Sequence, residues 1–212
     1  GSFNDFFTRR FKPGKRTFER DENKFPSPVE GKILCIENIS RSKIITIKGT
    51  PFSLSDLLQD PFLADQYENG LMLIFRLYLP DYHWFHFPDA GEILDTRRLG
   101  HTCYSVTPIS THTKKSFYSE NIRTISILQT DHFGEIILVE IGGFLISSIK
   151  QVYIDTEFKR GQPKGFFKVG GSTVVTIFKK GQIHIDKDIL EQSRLGIETH
   201  VKLGMGIGIR KQ

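Results

Sequence analysis

The sequence predicts a mostly β, α+β fold: an antiparallel barrel or sandwich core with a few short helices and an amphipathic helix at the N-terminus. Three observations carry this. Short alternating or apolar runs recur along most of the 212 residues, punctuated by Gly, Pro, Asn and Asp. In the body of the chain one stretch alone switches to helical spacing. Hydrophobic residues make up 38% and charged residues 25%, the balance of a packed chain rather than a disordered one. That length suits a single domain with one sizeable core.

In chain order, Phe3, Phe6, Phe7 and Phe11 recur at i, i+3, i+4 and i+8, one face of a helix. Residues 1–24 carry seven basic and four acidic side chains. Two uses are open for this segment: packing its Phe face on the body, or lying in a membrane interface with Arg on the headgroups. Residues 25–212 form the main domain. Its predicted strands are "GKILCIENI", "SKIITIKG", "LMLIFRLYL", "TISILQT", "GEIILVEIGG", "STVVTIF" and "THVKLG". "PFSLSDLLQDPFLADQY" at 51–67 is the helical interruption, with Ser53 or Ser55 as its cap.

The net charge of +5 and pI near 9.1 favour an anionic partner. The excess is modest and the aromatics do not interleave with a basic stripe, so a membrane surface is expected and nucleic acid is not. No apolar run approaches the roughly 20 residues that span a bilayer. Gly1-Ser2 reads as a cloning scar, which leaves open what precedes it. Cys35 and Cys103 match no zinc or redox spacing, so a reducing compartment is the default. His101, Cys103 and His112 likewise fit no metal pattern, and no metal is expected. "LGMGIGI" at 203–209 lacks the strand–helix setting of a phosphate loop.

Three short stretches can carry chemistry. In "LPDYHWFHFPDAG" (79–91), His83 and His86 lie three apart, between Asp81 and Asp89. Two histidines beside a carboxylate suit acid–base work near neutral pH, and equally suit a metal pair or two structural histidines. In "FPSPVEGKIL" (25–34), Glu30 sits in a Pro-rich turn ahead of a strand. In "KVGGSTVVTIF" (168–178), a serine follows two glycines that permit unusual backbone geometry. That corner is a plain turn, or a bond that breaks when Ser172 Oγ attacks the Gly171 carbonyl, with a histidine and a carboxylate assisting.

Read together, these stretches resemble the phosphatidylserine decarboxylase family along almost the whole chain and in order. "FNDFFTRRFKPGKRTF" resembles the family's "FFTR…LKPG.R", "SPVEGKI" its "SP.DG.I" and "IKGTPFSLSDLL" its "KG..YSL..LL". "LPDYHWFHFPDAG" is similar to "L.P.DYHR.H.P..G", "CYSVTP" to "LYSVNP" and "NIRT" to "NER". "EIGGFLISSI" resembles "VGA..VGSI", "RGQPKGFFKVGGSTVVTIF" resembles "KG.E.G.F..GSTVV.LF" and "LGIETHVKLGMGIG" resembles "G.ET.V..G..IG". Any one of these is a weak signal; in register, ending at the GGST corner, they are specific.

The resemblance implies a proenzyme that cleaves itself between Gly171 and Ser172. The β chain would be 1–171 and the α chain 172–212, with Ser172 converted to a pyruvoyl group. It implies Ser172, His86 and Glu30 as the cleavage triad and His83 as the acid of the decarboxylation step. The pyruvoyl carbonyl would take the amine of phosphatidylserine and accept the electron pair left by carbon dioxide, giving phosphatidylethanolamine. A homodimer peripherally attached to a membrane, on its cytoplasmic face, is implied too. The sequence departs from the family pattern at Glu30 (Asp in the family), Trp84 (Arg), Ile122 (Glu) and Ser147 (Gly), and "RGQPKG" lacks an acidic residue. Two rivals stay open: a pyruvoyl decarboxylase of another amine-bearing acid, and an uncleaved, silent lipid- or protein-binding homologue.

Overall fold

The structure is a computed structural model. It describes residues 6–12, 14–42, 45–47, 50–100, 121–142, 149–168 and 172–211. The first third of the chain holds β1 (Lys24–Pro26), β2 (Gly31–Glu37), β3 (Ile45–Ile47), β4 (Thr50–Phe52), α1 (Leu54–Leu58), α2 (Pro61–Gln66) and β5 (Leu71–Leu77). The middle holds β6 (Trp84–His86), β7 (Gly91–Leu99), β8 (Arg123–Thr130), β9 (Gly134–Ile141), β10 (Ile149–Gln151), β11 (Glu157–Phe158) and β12 (Pro163–Phe167). The last part holds β13 (Ser172–Phe178), β14 (Ile183–Ile185), α3 (Lys187–Arg194), β15 (Thr199–Val201) and β16 (Gly206–Arg210).

An eight-stranded antiparallel sheet, ordered β11-β7-β8-β9-β13-β5-β2-β15, forms the middle layer. β13 pairs with β9 on one side and β5 on the other, and all seven of its residues are buried. Burial on both faces explains why "STVVTIF" reads as a continuous run of β-branched and apolar residues and not as an alternation. On one face, Val174, Phe178, Leu73, Phe75 and Leu138 pack against Phe85, Phe167, Phe25 and Ile207. Those partners come from two small sheets, β10-β12-β6 and β1-β16-β14. On the other face, Val175, Ile177, Ile74 and Val139 meet Leu54, Leu57, Leu58 and Leu63 of α1 and α2. The open layers make a sandwich; among the described residues no sheet closes into a barrel.

Ser53 caps α1 with a reciprocal capping box: its side chain accepts from Asp56 N, and Asp56 accepts from Ser53 N. Gln59, at φ 49°, breaks the helical stretch before Asp60 caps α2 with Pro61 in its first turn. Of the expected N-terminal helix, Phe6 and Phe7 are helical, and residues 1–5 lie outside the described residues. Phe7 is buried while Phe6 is 58% exposed, so the Phe spacing does not mark one buried face. From residue 8 the segment runs as an irregular strap. Phe3, Cys103, His101 and His112 lie outside the described residues, as does the "CYSVTP" stretch.

Candidate active site

The two histidines of "DYHWFH" sit on and just before β6, which is held on both sides by backbone. An Asp81-centred turn launches the strand: Tyr78 N donates to Asp81 Oδ2 at 2.7 Å and Asp81 N to Tyr78 O at 2.9 Å. Phe167 N of β12 donates to His83 O at 2.9 Å, and His86 N donates to Pro28 O of the Pro-rich turn at 2.9 Å. β6 therefore lies between the turn that carries Glu30 and the strand that leads towards Ser172.

Both rings are buried, and both are tied through Nδ1 to a carbonyl oxygen. His83 Nδ1 lies 2.9 Å from Asp81 O, and His86 Nδ1 lies 2.7 Å from Gly161 O. A carbonyl can only accept, so each Nδ1 carries the hydrogen and each Nε2 presents a lone pair. Burial holds both rings neutral, pushing His83 down to about 4 and lowering His86 below its ordinary value. Neither Nε2 has a hydrogen-bond partner among the described residues. A buried nitrogen without a partner is destabilising by roughly 1–3 kcal/mol, so a histidine with only a structural role would be expected to have one. Both rings are bases with their proton-accepting atoms left open.

The N-terminal strap covers them. The Phe7 ring lies 3.7 Å from the His83 ring, Phe18 lies 5.6 Å from His86, and Phe11 stacks on Tyr82 at 4.2 Å. Trp84 Nε1 donates to Thr8 O at 3.0 Å, and the Arg10 guanidinium lies 4.1 Å from the Trp84 ring centre. Where the family pattern has an arginine in the strand, a strap arginine thus rests on the tryptophan that replaces it.

Glu30 is nearly buried and accepts from Arg16 Nε at 2.6 Å. It is not hydrogen-bonded to His86, whose Nδ1 is taken by Gly161. Its charge still reaches the pocket: burial first, and Glu30 as a lesser cause, push Tyr82 up to about 12 against the lowering effect of Arg10. Ser172 opens β13 opposite Leu77 of β5 and is 2% exposed. By strand alternation it shares the inward face of Val174, the face roofed by the small sheets. Residues 169–171 lie outside the described residues, so only the serine side of the expected cleavage bond is described. The fold brings His83, His86 and Glu30 to one region under the strap, with Ser172 on a core strand; among the described residues the hydrogen bonds of the two imidazoles run to Asp81 O and Gly161 O.

Sequence reasoning set Asp89 beside the histidines but missed three contributors: the Gly161 carbonyl, the Phe7 cover and Arg160, the partner of Asp89. A backbone acceptor has no residue-type signature, and Phe7 was read as one of a repeating face. Asp89 is fully buried. It accepts from Arg160 Nη2 and Nε at 2.9 and 3.1 Å and from His132 N at 2.9 Å. Its signal was its place three residues after His86. Among the described residues, no cluster of His, Cys, Asp or Glu could hold a metal ion.

The phosphatidylserine decarboxylase family model matches residues 3–209. A phosphatidylserine decarboxylase proenzyme from Ruminiclostridium cellulolyticum is 45% identical over 98% of this chain and 69% of its own length. Proteins of the same name from Clostridium tetani and Clostridium botulinum are 45% and 44% identical. They match over 98% and 99% of this chain, and over 70% and 71% of their own lengths.

Proposed function

The chain belongs to the phosphatidylserine decarboxylase family, and from that premise we propose that it is a self-cleaving proenzyme whose Ser172 becomes the pyruvoyl group that converts phosphatidylserine to phosphatidylethanolamine. The observation that carries this is the pair of buried neutral imidazoles with unpartnered Nε2 atoms, set beside the turn of Glu30 and the strand that leads to Ser172.

Cleavage begins when Ser172 Oγ attacks the Gly171 carbonyl carbon and passes its proton to His86 Nε2. As the C–N bond breaks, His86 passes that proton to the nitrogen of residue 172, and the peptide bond becomes an ester. Loss of the Ser172 α-proton and of the Cβ–Oγ bond then frees Gly171 as a carboxylate. Water replaces the nitrogen left on residue 172, which departs as ammonia. The carboxylate of Glu30 is paired with Arg16 in the resting chain and, on this reading, turns to the imidazolium once it has formed at His86. The residues present fit the group: a buried serine at a strand start, and bases that burial keeps unprotonated.

Once formed, the pyruvoyl carbonyl supplies an electron sink for decarboxylation. His83 has an open Nε2, so on this reading it first accepts a proton and then serves as the acid that the resemblance implies. It takes a proton from the substrate ammonium and returns it after carbon dioxide has left. The enzyme works as a homodimer on a membrane surface, peripherally and on the cytoplasmic face, with the strap against the bilayer.

Intact mass spectrometry of the purified protein beside Ser172→Ala tests the reading. Two fragments meeting at Gly171/Ser172, a pyruvoyl-blocked 172–212 and no break in the variant are expected, with carbon dioxide released from phosphatidylserine vesicles and not from free amino acids. The Arg16–Glu30 pair favours one rival, the uncleaved binding homologue. A single unbroken mass in both proteins would establish that rival instead.

A further inference from the structure

We propose that buried Asp89 and Arg160 are positioning residues for His86, acting through the Gly161 carbonyl; the inference rests on the proenzyme reading and adds to it what sets the base. The family resemblance gives that task to the carboxylate of the "SP.DG" turn, but here Glu30 is paired with Arg16, and a backbone oxygen holds His86 Nδ1.

A carbonyl oxygen orients a ring only as well as its own turn is held. The Arg160–Gly161–Gln162 turn is pinned to the strand beside His86: Gly161 N donates to Phe87 O at 2.8 Å and Phe87 N to Gln162 O at 2.9 Å. Gly161 sits at φ +77°, and a Cβ there would lie 2.9 Å from the Phe18 ring, so only glycine places its oxygen at this point. The third anchor is the Arg160 guanidinium. Nε and Nη2 both donate to Asp89 Oδ1, while Nη1 and Nη2 reach the carbonyls of Glu19, Asp21, Glu22 and Lys24. Asp89 is itself fixed by the backbone and Nδ1 of His132. One guanidinium, held by a buried carboxylate, therefore ties the turn behind His86 to the chain that runs into β1 and on to Pro28, whose carbonyl takes His86 N.

With this clamp closed, His86 is held as the Nδ1–H tautomer and Nε2 is the basic atom. With it open, the ring is free to turn over and place its hydrogen on Nε2, where it cannot accept the serine proton. An uncharged carbonyl fixes the tautomer, while burial first and the Arg10 cation as a lesser cause keep the ring neutral.

The test uses the full chain with nitrogen-15 histidine. In Ser172→Ala, which stays uncleaved, His86 is expected as the Nδ1–H tautomer. Adding Arg160→Gln is expected to give a mixture of tautomers, and Arg160→Lys to recover part of the parent signal. In the Ser172 chain, Arg160→Gln is expected to slow cleavage about ten-fold or more. Should Arg160→Gln not fold, Asp89→Asn reports in its place, since it keeps the shape and loses the charge that holds the guanidinium. Parent tautomer and parent cleavage rate in the folded variants overturn the inference. So does failure of both variants to fold, which would make the pair a purely structural one. A parent chain that never cleaves, with a tautomer that still responds to Arg160, upholds the clamp and sinks the proenzyme reading instead.

Discussion

His83 is held neutral at the expense of the proton it would take up in water, and this makes stability depend on pH. Its folded form titrates near 4, against 6.5 for the ordinary side chain. Between those values the unfolded chain binds a proton that the folded chain refuses. The contribution is therefore complete above 6.5 and is lost as pH falls towards 4, by at most about 3 kcal/mol. Urea unfolding of the uncleaved Ser172→Ala chain across this window should show the fall, and His83→Gln should flatten it. An equal fall with glutamine in place would show that other groups carry it. The neighbouring Glu30 gives a second prediction. If Arg16 offsets a carboxylate that assists His86, Arg16→Ala speeds self-cleavage and Glu30→Gln slows it, each by several-fold, about 1 kcal/mol. Equal rates in parent and both variants would leave Glu30 as no more than the partner of Arg16. The sequence pointed to Ser172, His83, His86 and Glu30 through the motifs of the family resemblance; by residue type alone a plain turn, structural histidines and a solvated carboxylate stayed open. It could not say that the hydrogen bond to His86 comes from Gly161, since every residue has a carbonyl and only the folded turn selects one.

At the scale of elements, a buried charge pair joins the middle sheet to the small sheet that carries the histidines. Lys164 of β12 and Glu140 of β9 meet at 2.9 Å, both fully buried, with Gln151 of β10 donating to the same carboxylate. Lys164 Nζ also lies within 5.4–5.9 Å of the Tyr153, Phe85 and Phe87 ring centres. Burial raises Glu140 and the ammonium lowers it, so the carboxylate depends on its partner. Lys164→Met should destabilise the uncleaved chain by roughly 3–5 kcal/mol in urea titrations, and pairing it with Glu140→Gln should restore much of the loss. A neutral single variant would show that the two strands hold without the pair. Neither residue stood out in the sequence, where a lone Lys and a lone Glu read as solvent-facing. The same contrast runs through the strands. β13 was legible because burial on both faces demands an unbroken apolar run. β7 was not, because Leu94, Asp95, Thr96 and Arg98 are exposed and a register shift between Ile93 and Asp95 disturbs its alternation. α3 was missed because only Ile189 of its eight residues is fully buried, too little apolar stripe to show a helical period.

For the whole molecule, the proposed membrane attachment raises the question of which face would meet a bilayer. The net charge of +5 gives a long-range attraction to anionic lipid that salt weakens, but it does not choose a face. Exposed apolar side chains do. Phe6 and Leu79, 58% and 62% exposed, flank the entry to the histidine strand. Arg9 joins them: its guanidinium lies 4.5 Å from the Phe6 ring centre and donates to Pro80 O at 2.6 Å. This is an apolar pair with a cation between its members, beside the strap that covers His83, so insertion there would bring the lipid headgroup to the site. Burying half of each side chain in the interface contributes about 2 kcal/mol in total, or roughly thirty-fold in partitioning. Co-sedimentation of the Ser172→Ala chain with phosphatidylserine-containing vesicles should therefore weaken by that order in Phe6→Asp/Leu79→Asp. If the Phe6–Leu79 side is the one that inserts, co-sedimentation should be little changed in Ile154→Asp, although Ile154 is 93% exposed. The reverse pattern would place the bilayer against the Ile154 side, and the strap would then be a cover opened by something other than lipid.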